Sequence, residues 1–210
     1  MKLTKLIALS FVTCSGVLAL SPIVQAAEEP EADGAVVTST GSIGFKVNTD
    51  PVDPVDPIDP ENPILPIDPD YPGGTAGPLS IDYVSTLKFG EDNKTSGKDA
   101  IYWAKLDQFV NPADKDKPLE RPNFIQVTDS RGSNVGWNLS IKQEAQFMNE
   151  EEALDGAELT FAKGVMSSAD NGTAPTITSP LTLTPGEAIE VVNAEENEGK
   201  GTWVALFGKD

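Results

Sequence analysis

The chain has 210 residues, 33 of them acidic and 15 basic, with one cysteine, no histidine and a net charge of −18. The missing histidine removes Ser-His-Asp and Cys-His catalysis, His-based zinc sites and imidazole acid–base work together. So acidic a chain repels nucleic acid and anionic membrane surfaces; a cationic partner or a sugar polymer is easier to accommodate, and simple solubility is the other reading of the charge.

Residues 1–26 read as a secretory signal. Lys2 and Lys5 form a basic start, Leu6 to Leu20 an apolar stretch, and Val24-Gln25-Ala26 a small-x-small site, so cleavage is expected before Ala27. Ser21 and Pro22 close the apolar run too early for a membrane anchor. Cys14 lies inside that run, in a poor lipoprotein context, so the exported chain is expected to lack thiols and disulfides. Export removes two lysines and no acids, leaving 13 − 33 = −20.

Residues 27–49 open polar and then alternate Ile43, Phe45 and Val47 with Gly44, Lys46 and Asn48, the pattern of one half-buried strand. With nothing nearby to pair with, it is expected either at an edge of the main domain or on another protein's sheet. Residues 50–72 carry proline at every third position from Pro51 to Pro72. Polyproline II has three residues per turn, so the prolines line one edge, Asp50, Asp53, Asp56, Asp59 and Asp68 a second, and Val52, Val55, Ile58, Ile64 and Ile67 a third. The expected role is a semi-rigid linker of roughly 65 Å at full extension. Docking of its apolar edge, on its own domain or on another protein, stays open.

From residue 73 the composition turns globular. Leu79, Ile81, Tyr83, Leu87 and Phe89 fall on alternate positions, with Ser85 as the one polar gap. Short apolar runs recur at Ile101–Leu106, Phe124–Val127, Trp137–Ile141, Ala157–Phe161, Leu181–Leu183, Ile189–Val192 and Trp203–Phe207, with turn-forming clusters between them. Such spacing predicts an all-β sandwich or barrel over residues 73–210. Residues 143–154 leave room for a turn or two of helix but carry no strong apolar stripe.

Chemistry is scarce. Ser96-Gly97-Lys98 lacks the spacing of a Ser-Lys nucleophile, and the many carboxylates read as solvated surface rather than a glycosidase pair. Glu91, Asp92 and Asn93, or Asp170 and Asn171, are candidate calcium ligands without the pattern of a dedicated loop. No L-P-x-T-G sorting sequence is present. No catalytic, cofactor or metal residue is assigned. Trp103, Trp137 and Trp203 are the candidates for stacking on sugar, with Asn138 and Ser140 beside one of them. Trp137 shares a strand face with Leu139 and Ile141, which favours the core over a ligand platform.

Trp137-Asn138-Leu139, together with Thr128-Asp129-Ser130-Arg131-Gly132 before it, resembles the first signature of WxL-domain proteins, surface proteins of low-GC Gram-positive bacteria. Tyr83-Val84-Ser85, Asn123 to Asp129, Leu181 to Gly186 and Gly199 to Trp203 extend the resemblance over most of the chain from about Tyr71. It implies a secreted protein held noncovalently at the cell wall, with peptidoglycan as ligand and Trp137, Asn138, Leu139 and Trp203 as wall-binding or motif residues. It also implies association with other WxL-family proteins and a membrane-anchored surface partner, so a protein-binding subunit of a surface or adhesion complex is the alternative. Members carry a second Trp-x-Leu near the C-terminus. Here Trp203-Val204-Ala205-Leu206 is Trp-x-x-Leu, and the domain is read as stopping before that second signature.

Overall fold

The computed structural model describes residues 5–12, 36–44, 46–93, 99–149 and 152–208, without the side chains of 5–12, 36–40 and 149. The chain forms two compact units, residues 1–46 and 47–210. In the first, β1 (Lys5–Val12) pairs antiparallel with β2 (Val36–Ile43). The expected strand over Ile43, Phe45 and Val47 is displaced. The pairing uses the β-branched run Val36-Val37-Thr38 and ends at Ile43, and residues 46–49 have no regular structure. Asn48 Oδ1 accepts the Asp50 N–H at 3.1 Å, turning the chain before Pro51. Phe45 and the expected cleavage site lie outside the described residues.

The second unit begins with the proline repeat, which is part of the domain. It supplies β3 (Val55–Asp56), β4 (Asp59–Pro63) and β5 (Leu65–Pro66). β3 and β4 pair through a turn at Pro57-Ile58, and β5 pairs with β7 (Asp107–Asn111). A free linker is therefore corrected to a docked layer, through the alternative the apolar edge left open. The turn destroys the three-edged geometry of a continuous ribbon: Pro54, Pro57 and Ile64 are buried, whereas Ile58 and Ile67 face outward.

Thirteen further strands complete the all-β architecture, and the described residues contain no helix. β6 (Leu79–Val84) precedes β7, which forms a hairpin with β8 (Asp114–Arg121). β9 (Phe124–Asp129) and β10 (Trp137–Lys142) flank the signature loop. β11 (Met148–Asn149) and β12 (Glu152–Ala153) make a small hairpin where the sequence left room for helix. β13 (Leu159–Phe161), β14 (Val165–Ser167), β15 (Thr176–Ile177), β16 (Leu181–Leu183), β17 (Ala188–Ala194) and β18 (Gly201–Leu206) follow.

The centre is a four-stranded antiparallel sheet in the order β14-β18-β9-β6. One face packs against β10 and β17 of a three-stranded sheet and β16 of a two-stranded one, enclosing Ile125, Val127, Trp137, Leu139, Val192 and Trp203. The other packs against the β5-β7-β8 sheet and the proline-rich layer around Ile64, Tyr83, Phe109, Phe124, Val204 and Leu206. All six residues of β9 are buried because both its faces are covered. Each large apolar side chain enclosed this way contributes about 1.5–3 kcal/mol of transfer free energy.

Two bulges break the expected alternation. Pairing of β6 with β9 shifts between Ile81 and Tyr83, so Asp82 and Tyr83 are both buried while Leu79 and Ile81 stay partly exposed. Pairing of β10 with β17 shifts after Leu139, and both Val191 and Val192 are buried. The run Ile101–Leu106, expected as a strand, is irregular; β7 starts only at Asp107.

Candidate functional site: two tryptophans on one turn

The loop between β9 and β10 is held from within. Arg131 donates from Nε and Nη2 to the two carboxylate oxygens of Asp129, at 3.0 and 2.8 Å, and Nη2 also reaches the Gly136 carbonyl at 2.7 Å. The Asp129 carboxylate accepts the Arg131 N–H at 3.0 Å as well. Burial alone would raise the Asp129 carboxyl; the hydrogen bonds and charge of Arg131 outweigh it and hold the group below its ordinary value. At Gly136, φ is +74°, and a Cβ would overlap the Ala194 carbonyl. Glycine there lets the loop close onto the end of β17, where Asn134 O accepts the Asn197 N–H at 2.8 Å.

Trp137 enters the core next and is only 7% exposed; its Nε1–H donates to the Gly199 carbonyl at 2.9 Å. Trp203 comes from the opposite layer, is 4% exposed, and its Nε1–H donates to the Lys200 carbonyl at 2.9 Å. Successive carbonyls of one Gly-Lys-Gly turn thus satisfy both indoles. Gly199 has φ +67°, and a Cβ there would stand 2.7 Å from Trp137 Nε1. At Gly201, with φ +84°, a Cβ would overlap the Asp170 carboxylate, which accepts the Thr202 N–H at 3.0 Å. The turn is therefore shaped by what packs on it.

Leu139 shares the buried face of Trp137, while Asn138 points outward, its Nδ2 donating to Glu190 Oε2 at 2.8 Å and Asn193 Oδ1 at 3.2 Å. In β18, Trp203 and Ala205 line the same core and Val204 and Leu206 the other. The residue that shares the Trp203 face is thus Ala205, two positions on, as Leu139 shares that of Trp137. Leu206, three positions on, lies on the opposite side of the sheet. Trp103, by contrast, is 73% exposed.

Two of the candidate calcium ligands have other partners. Asp170 caps the start of β18, and Asn93 donates to the carbonyls of Phe89 and Gly90. Among the described residues no three His, Cys, Asp or Glu side chains gather as a metal site. The hollow bounded by Asp170, Asn171, Gly172, Lys200 and Gly201 lies over this turn.

Sequence reasoning missed the residues that fix the proline-rich layer. Gln126, fully buried, accepts the Val55 N–H on Oε1 at 2.8 Å and donates from Nε2 to Asp53 O at 3.2 Å and Asp82 Oδ2 at 2.9 Å. Arg121 makes a two-pronged bond to Asp56, with Nε to Oδ1 at 2.7 Å and Nη2 to Oδ2 at 2.5 Å. Tyr71 Oη donates to Asp82 O at 2.7 Å, and Lys88 pairs with Asp68 at 2.7 Å. The only signal in the sequence was one glutamine at an inward position of an apolar strand.

Trp137 with Leu139, and Trp203 with Ala205, are thus spent on the core of the domain itself. The chain belongs to the WxL family: a family model described as WxL domain surface cell wall-binding matches residues 32–210. It is accordingly a cell-wall-associated surface protein. No curated protein and no solved structure matches it.

Proposed function

We propose that this protein is secreted and holds the Gram-positive cell wall noncovalently, with peptidoglycan as its ligand and without catalytic turnover. The observation that carries the reading is the family match over residues 32–210, which spans the whole β domain and its proline-rich layer. The charge of −18 supports a sugar polymer over a polyanion, and the lack of histidine supports binding over acid–base chemistry. Trp137 and Trp203 serve this function by fixing the domain's shape. Among the described residues, no helix is long and apolar enough to cross a membrane.

Cosedimentation of the purified protein with peptidoglycan sacculi tests the proposal. Saturable pelleting is the expected result, absent for an unrelated protein of equal charge. Failure to pellet, with a retained interaction with other surface proteins, would replace it by the protein-complex reading. A deletion separating the two should remove residues 27–46 only, because residues 51–72 are a layer of the domain.

A further inference from the structure

Trp137 and Trp203 cannot lay a ring face on a sugar, since both are buried with their N–H groups bonded inside the protein. The third is placed oppositely. Between β6 and β7 the chain makes an excursion over residues 85–106 whose base is fixed: the Lys105 N–H donates to Lys88 O at 2.7 Å, and the Asn123 amide holds Lys105 O at 2.9 Å. Asn123 is itself buried, and its backbone carbonyl accepts the Phe207 N–H. From this anchored base the excursion displays Ile101, Tyr102, Trp103 and Leu106, exposed by 80, 43, 73 and 48%. Four large apolar side chains held outward within six residues oppose the ordinary tendency of such groups to be buried, and a cluster of this kind marks a contact surface.

Charge narrows the occupant. The segment 99–106 carries Lys105 against Asp99, or 1 − 1 = 0, in a chain of −18. Peptidoglycan combines uncharged pyranose faces, which stack on aromatic rings, with peptide carboxylates that the acidic remainder of the protein would repel. An aromatic tip without net charge accepts the pyranose faces and spares the carboxylates that repulsion.

We propose that the 99–106 segment, with Trp103 as its stacking platform, is the surface that contacts the glycan strands of peptidoglycan. This rests on the wall-binding function proposed above and assigns the contact to residues outside the WxL signature. The test is cosedimentation with two preparations, untreated walls and sacculi stripped of proteins and anionic polymers, using wild type, Trp103→Ala and Trp103→Phe. Thermal unfolding of each variant verifies that the fold is intact. The expected result is binding of wild type to stripped sacculi, weakened about tenfold by Trp103→Ala and less by Trp103→Phe, with unchanged Tm. Equal pelleting of wild type and Trp103→Ala would overturn the assignment and leave wall binding standing. Trp103-dependent pelleting with untreated walls alone would give the segment a protein or anionic polymer and overturn the glycan. If wild type pellets with neither preparation, the wall-binding function fails and the assignment falls with it.

Discussion

The two faces of β9 and β18 are attached to their neighbours by different means. Toward β10, β16 and β17, the contact is apolar and continuous, with both indole N–H groups satisfied at its end by the 199–201 turn. Toward the proline-rich layer, Phe124, Val204 and Leu206 share their face with Gln126 and Thr128; directional bonds from Gln126 reach across to Asp53 and Val55, and Asp82 of the neighbouring β6 accepts from both Gln126 and Thr128. Apolar burial supplies cohesion without direction. That suffices for the first face, where bulky side chains of unequal shape admit one arrangement. It does not suffice for the second. Asp50-Pro-Val, Asp53-Pro-Val and Asp56-Pro-Ile are nearly interchangeable steps, and a slip of three residues would present almost the same surface. Gln126 and Arg121 recognise one step each and so set the register.

The sharpest way to break the contrast is at its apolar end. Trp137→Ala is expected to cost about 3–5 kcal/mol, leaving a cavity among Leu139, Val192 and Trp203 and the Gly199 carbonyl without its donor. Chemical denaturation measures this loss. Next comes the polar face. Gln126→Leu keeps the bulk but leaves the Val55 N–H and one bond to Asp82 unmade, for an expected loss of about 2–3 kcal/mol. The lost protection should concentrate at residues 53–66 in amide hydrogen exchange, with β10 and β17 scarcely altered.

A smaller effect is expected at the signature loop. Arg131→Leu removes the clamp on Asp129 and Gly136 and should cost about 1.5–3 kcal/mol near neutral pH. Its pH dependence has a definite sign. The folded Asp129 carboxyl titrates below its unfolded value, so its contribution is complete above the ordinary carboxylate range near about 4 and is lost as pH falls through the folded value. The stability difference between wild type and Arg131→Leu should therefore shrink on acidification from pH 6 toward pH 3. A constant difference would show that the charge on Asp129 is not what Arg131 stabilises. The smallest effect belongs to the outward edge of the proline-rich layer: Ile58→Ser, on a side chain 48% exposed, should stay within about 0.5 kcal/mol of wild type.

Legibility from sequence followed the same division. Alternation of Trp137, Leu139 and Ile141 located β10 and its buried face, and the runs at 124–127, 181–183 and 189–192 located β9, β16 and β17. Where a bulge intervenes, alternation misassigns faces: Ile81 and Tyr83 look like partners in sequence and end on opposite sides because Asp82 is the extra residue. β8, Asp-Lys-Asp-Lys-Pro-Leu-Glu-Arg, has no apolar alternation. It forms as the edge of its sheet, where Pro118 and alternating charges are tolerated. Ile101–Leu106 erred the other way, with apolar composition but no strand partner. The docking of the proline repeat depends on contacts 65 to 73 residues away in the chain, made by Arg121 and Gln126, and no local pattern encodes such a distance.

The central claim is that Trp137 and Trp203 build the domain and Trp103 alone faces outward. Acrylamide quenching of tryptophan fluorescence tests it most directly, comparing wild type with Trp103→Phe in the native and denatured states. The account predicts one readily quenched population in the native wild type, lost in Trp103→Phe, whose remaining emission stays protected until the protein unfolds. Strong native quenching that persists in Trp103→Phe would place Trp137 or Trp203 at the surface and contradict it.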